Sequence, residues 1–253
     1  MNLSKTTGWL LVIGIIGSMA FGLSNATASA DWSSNAALLT ALSTDVDWTK
    51  LSFILSAIGQ IVIVIGIVGM RDAMSGGVGH KYASMAIWFL AIGATTNLLW
   101  SAMMGLTGDQ WSTKTTAEAM AAAAAGAGKA EAAQAAAAGA AISAGIAVSA
   151  LATALAIGAA SNLSTFIGIT LLGIGLTMQK SLHMILAALI TILGIVGIAL
   201  SIIDSRSTLM FIPWVGTFVI MLIIGLGTLG VPVLKKLASV SYTHLTLPTN
   251  REV

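Results

Sequence analysis

Residues 51–70 read LSFILSAIGQIVIVIGIVGM, a run without Asp, Glu, Lys or Arg, and this kind of run limits the fold more than any other feature. A helix rises about 1.5 Å per residue, so roughly 20 apolar residues cross a hydrocarbon core about 30 Å thick. Five further stretches answer that description, at 8–23, 82–106, 157–178, 182–203 and 209–231, and none holds a formally charged side chain. Backbone groups in lipid have no water to bond with, so each such stretch must satisfy itself as a helix. The sequence predicts an all-α integral membrane helical bundle of six transmembrane helices. Composition agrees: 8% of residues are charged, against roughly 25% in a soluble domain, too few to solvate a whole exterior in water.

The first stretch has a second reading. A short basic start, the apolar residues 8–23 and then Ala28-Ser29-Ala30 match what signal peptidase accepts, so cleavage would leave five spans. Asp31 emerges on the same side either way.

Basic residues collect in cytoplasmic loops. With the N-terminus inside, the inner set is Lys5, Arg71, Lys81, Lys180, Lys235 and Lys236, and the outer set is Lys50, Lys114, Lys129 and Arg206. The bias is modest and favours both termini inside. Trp9, Trp48, Trp111 and Trp214 fall at or just beyond span ends, and Trp100 near one, as a headgroup belt requires; Trp88 lies deeper.

The segment 117–156 is Ala-rich, and Ala is the best helix former. One long helix leading into the fourth span is expected, with Gly126, Gly128, Gly139 and Gly145 as weak points. Small residues in the spans, Gly14, Gly17, Gly194, Gly197, Gly225, Gly227 and Gly230, predict close helix packing.

Candidate chemistry is sparse. Gln60 and Asn97 sit deep in the second and third spans, with Thr96 beside the latter. Amides in hydrocarbon either bond across helices or line a polar site. No ionisable group lies inside a span, which argues against pumps and proton-coupled carriers. Asp45-Val46-Asp47 resembles a cation pair, but Asp47 is placed to cap the second span. Residues 75–80, SGGVGH, lack the context of a nucleotide loop. Cys is absent, no His has an acid at ligand spacing, and no hydrolase triad can be assembled. No cofactor, metal or catalytic residue is expected. With no basic run, nucleic acid is not an expected partner.

Thr7-Gly8-Trp9-Leu10-Leu11, followed by a Gly-punctuated span ending Gly69-Met70-Arg71, resembles the small six-span prokaryotic membrane proteins grouped as domains of unknown function. The resemblance covers residues 1–238 and implies architecture and a prokaryotic cell (inner) membrane, without an activity. Residues 239–253 change character: SVSYTHLTLPT resembles the in-frame translation of a transposase mosaic-end sequencing adapter, and this stretch is set aside as non-native.

The functional expectation is a non-catalytic membrane subunit or scaffold. It would pack through Gly/Ala-rich faces, with the lipid bilayer and a protein partner or a second copy as its contacts. The alternative is a channel or carrier for a small neutral solute. That alternative requires a cavity reaching Gln60 and Asn97.

Overall fold

A computed structural model describes residues 3–180 and 183–234; Lys235, Lys236 and the adapter-like tail lie outside the described residues. The described chain is helical: α1 (Lys5–Gly22), α2 (Asn35–Thr44), α3 (Val46–Asp72), α4 (His80–Gly126), α5 (Ala130–Gln179), α6 (Met184–Ile203) and α7 (Phe211–Thr228). Short 3-10 turns occupy Ala26–Ser29 and Thr208–Met210. All but α2 are long and apolar enough to cross a membrane, α7 together with the turn before it.

Polar side chains set the helix starts. Ser4 accepts from the Thr7 amide at 3.1 Å and Ser34 from the Ala37 amide at 3.3 Å. Asp45 caps α3, its carboxylate accepting from the Trp48 amide at 3.1 Å. This corrects the assignment to Asp47. A cap must precede the first helical residue, and Asp47 instead lies inside the first turn, where its charge suits the positive end of the helix dipole.

The six spans form a closed ring. α1 packs on α3 and α7, α3 on α4, α4 on α5, α5 on α6, and α6 on α7. The α1–α3 seam is tight because Gly14 and Gly59 lack side chains: a Cβ on Gly59 would lie 2.6 Å from the Ser18 nitrogen, and one on Gly14 would lie 2.8 Å from the Gly59 carbonyl oxygen. Gly194 and Gly197 meet α5 at Thr170 and Phe166, and Gly225 meets α1 at Gly8 and Val12. Gly17 is different, with no atom within 4 Å of its virtual Cβ. Backbones brought this close gain dispersion contacts, the main cohesive force between helices in lipid.

Serine hydroxyls supply the polar cross-links. Ser56 donates to the Ser18 carbonyl at 2.9 Å, Ser161 to Gly93 at 2.8 Å and Ser164 to Phe89 at 2.9 Å.

The Ala-rich segment is not one helix. Residues 117–126 continue α4, the chain reverses at 127–129, and α5 starts at Ala130. The Gly128 amide donates to Ala125 at 3.0 Å and the Lys129 amide to Ala124 at 2.9 Å, with Gly128 at φ 72°. This is a Schellman termination, which needs a left-handed residue after the cap. Gly139 and Gly145 remain inside α5. At 47 and 50 residues, α4 and α5 run about 70 and 75 Å at 1.5 Å per residue, more than twice the hydrocarbon thickness. Their paired ends therefore extend past the bundle as an antiparallel hairpin. The base of the hairpin is held by a Lys50–Asp109 ion pair and by Leu38, Leu39 and Leu42 of α2 packed with Met104 and Leu151.

Candidate functional site

The inside of the ring differs at its two ends. Where α1 begins, Leu11, Ile15, Ile67, Met70, Leu90, Phe166, Leu172, Leu176 and Ile224 fill the axis, all buried in one apolar cluster. Toward the α2 end the axis opens into a vestibule of about 590 Å³, walled by α3, α4, α5, α7 and the links before α2 and α7. That volume lies in the range of small-molecule sites.

Gln60 of α3 and Asn97 of α4, both marked in the sequence, line this vestibule, and Asn162 of α5 joins them. Asn97 enters the hydrogen-bond network through its main chain, its carbonyl accepting from Ser101 at 2.9 Å. Among the described residues, none of the three side-chain amides bonds to protein, and all three residues line the cavity. An inter-helix bond between Gln60 and Asn97, one of the two readings, is not formed. Serines link the helices instead, and the amides are left over.

Thr96 does not join the site. Its hydroxyl donates to Ile92 at 2.8 Å and to Gly93 at 3.0 Å in its own helix, so a residue adjacent to Asn97 in sequence points elsewhere around the turn. Thr95 likewise bonds back, to Ala91 at 2.9 Å.

The aromatic walls correct the belt reading. Trp214 lies inside the ring with its centroid 5.1 Å from Phe166, and Trp100 also lines the vestibule. Trp100 stacks on Trp32 at 6.2 Å with an interplanar angle of 23° and meets Phe53 edge-on at 5.0 Å. Of the rings read as a belt, Trp9 at 55% exposure faces the bundle's exterior over most of its area, as does the deeper Trp88 at 73%. A span-end position fixes depth but not azimuth, and azimuth decides whether a ring meets lipid or cavity.

Beneath the vestibule, Gln60 and Trp214 also border a second gap of about 40 Å³ among Ile63, Ile67, Leu90, Ile169 and Met221. The Thr217 hydroxyl borders it, buried and without a partner among the described residues. The gap has room for a water molecule. Below it the axis is packed.

At the mouth, Arg206 projects from the link between α6 and α7. Its Nε donates to the Trp32 carbonyl at 2.6 Å, while its Nη2 is buried and bonds to no described atom. Asp31 is close enough to feel the charge. The carboxyl of Asp31 is held below its ordinary range first by the Ser33 hydroxyl, then by the Ser33 amide, with Arg206 adding in the same direction. In the sequence Arg206 stands only as a loop charge. No signal in one sequence joins Trp32 to a residue 174 positions away.

Among the described residues no group of three or more His, Asp or Glu side chains stands close enough to hold a metal ion. The vestibule is lined by side-chain amides, flat apolar walls and one guanidinium. No protein-family profile, curated protein or solved structure matches the chain.

Proposed function

We propose that the protein is a membrane carrier for a small solute, caught in a state open at the α2 end. The observation that supports this most is the vestibule of about 590 Å³ ending on three unbonded amides, Gln60, Asn97 and Asn162. An amide left without a protein partner at membrane depth costs free energy unless water or a ligand meets it. Helix packing alone gives no reason to keep three of them facing one space. The packed half below argues for a carrier over an open pore, because a pore needs a continuous polar path. We read the α2 end as the outer one from the modest bias of Lys and Arg among the loops, and a prokaryotic cell (inner) membrane from the resemblance carried by residues 7–11 and 69–71.

The test uses single cysteines in a chain that has none of its own. A carrier must at times open its other half. Ile67→Cys in inside-out vesicles is expected to react slowly with a membrane-impermeant maleimide, and more slowly still when a bulky label at Thr208→Cys props the outer mouth open. Complete inertness of Ile67→Cys under both conditions would reduce the reading to a one-sided binding site.

A second reading, the scaffold, is favoured by the hairpin. Its Ala-rich flanks at 117–126 and 130–146 are mostly exposed beyond the bundle. Small side chains let another helix approach closely. Deleting the hairpin beyond Trp111 and Ala147 while keeping the ring would separate the two: solute binding survives in the first reading, partner capture fails in the second.

A further inference from the structure

We propose that Arg206 anchors a carboxylate, and that the occupant of the vestibule is a small organic monoacid with a flat apolar body. The proposal rests on the vestibule being a solute site, and it goes past the neutral solute inferred from the spans, because Arg206 lies between spans and not within one.

The guanidinium is positioned yet unpaired. Its Nε is fixed by the Trp32 carbonyl and Nη2, shut off from solvent, meets no described acceptor, which leaves Nη1 as the nitrogen a vestibule ligand can reach. A guanidinium N–H forms a charge-assisted hydrogen bond to a carboxylate oxygen, and a charged donor left unmet is costly. The chain's own acids do not fill the position. Among the described residues the ion pairs are Lys50–Asp109, Arg71–Asp72 and Lys114–Glu118. Asp31 spends one oxygen on the Ser33 hydroxyl and amide, and Asp204 accepts the backbone N–H of Arg206 at 3.1 Å instead of its side chain.

The surroundings specify the rest of the ligand. Trp32, the residue that orients the guanidinium, stacks on Trp100, and both face the cavity. A ring held against that wall would place its acid on Arg206 and its far edge toward Gln60, Asn97 and Asn162. Flat faces attract flat ligands through dispersion and quadrupole terms. The phosphate of an anionic lipid headgroup shares the anion chemistry, so the test must separate the two sources.

The full chain is placed in phosphatidylcholine nanodiscs and titrated with benzoate and with benzamide, its neutral isostere, following tryptophan fluorescence. Benzoate is expected to bind about tenfold or more tighter than benzamide, the range for a hydrogen bond to a charged group. Arg206→Gln is expected to erase that preference while leaving benzamide binding in place, and Arg206→Lys to restore part of it. Equal binding of acid and amide, or a preference that survives Arg206→Gln, overturns the proposal. So does an Arg206-dependent signal from phosphatidylglycerol that benzoate fails to displace, which would assign the site to a lipid phosphate. If neither probe binds while Asn97→Cys still reacts with aqueous maleimide, the vestibule stands and the monoacid is wrong; if Asn97→Cys is also inert, the solute site itself is wrong.

Discussion

Arg206 donates through Nε to the carbonyl of Trp32 at 2.6 Å, joining the link before α7 to the link before α2 across 174 residues. This bond closes one side of the vestibule mouth. A charged donor in a partly buried bond contributes about 1.5–3 kcal/mol, and Arg206→Gln retains some of it through its amide. A loss of about 1 kcal/mol in unfolding free energy in mild detergent is expected. No change in unfolding would mean the contact is not made in the membrane.

The seam between α1 and α3 gives a sharper contrast. A Cβ at Gly59 would lie 2.6 Å from backbone, with no flexible side chain to move aside, whereas Gly17 has open space around it. Gly59→Ala is expected to destabilise the bundle by about 1–3 kcal/mol through overpacking. Gly17→Ala should be neutral or stabilise by up to about 1 kcal/mol from helix propensity. Thermal unfolding of both variants in one detergent checks the pair, and equal effects would contradict the seam.

The hairpin tip rests on one backbone angle. Gly128 at φ 72° is left-handed, and an alanine there costs about 1–2 kcal/mol. Because the tip lies far from the ring, Gly128→Ala should loosen the hairpin without lowering global stability. Amide exchange is expected to speed up at 120–136 and to stay unchanged at 160–176; the reverse pattern would contradict the hairpin.

Acidification has a signed effect at the mouth. Asp31 titrates below its ordinary range, chiefly because of the Ser33 hydroxyl. A carboxyl depressed on folding adds stability above its unfolded pKa, and that stability is lost as pH falls through the folded value. Asp31 is fully exposed, so the effect is small. Ser33→Ala should move the Asp31 titration upward in carbon NMR of labelled protein, and an unmoved titration would remove the cause assigned to it.

Much of the architecture was legible because lipid imposes a coarse rule: about 20 uncharged residues make a span, whatever their neighbours. Six such runs could be counted without knowing any contact. The reversal at Gly128 was harder to read. Four glycines sat in nearly uniform Ala sequence, and local propensity does not choose among them; packing of α5 back along α4 does. The site was half legible. Gln60 and Asn97 stood out as amides at depth, but Asn162, Trp100, Trp214 and Arg206 share the cavity only because the ring closes, and the order of helices around that ring is a long-range fact. Thr96 shows the same limit in reverse, next to Asn97 in sequence and facing away from it.

Sidedness is open to direct measurement. The loop charges predict that Ser75→Cys, in the turn between α3 and α4, reacts with impermeant reagent only after cells are opened. Ser112→Cys, near the hairpin base, should react in intact cells. Reaction of Ser75→Cys from outside would invert the assignment and turn the vestibule toward the cytoplasm.

The central claim is that water enters the ring as far as the amides and stops there. A nitroxide at Gln60→Cys, in lipid nanodiscs, reports this through its collision rates with a water-soluble nickel complex and with oxygen. The account predicts high nickel accessibility at position 60 and a value near zero at Met70→Cys, in the packed layer below the small gap. Oxygen-rich, nickel-free behaviour at position 60, like that of a lipid-facing site, would contradict it.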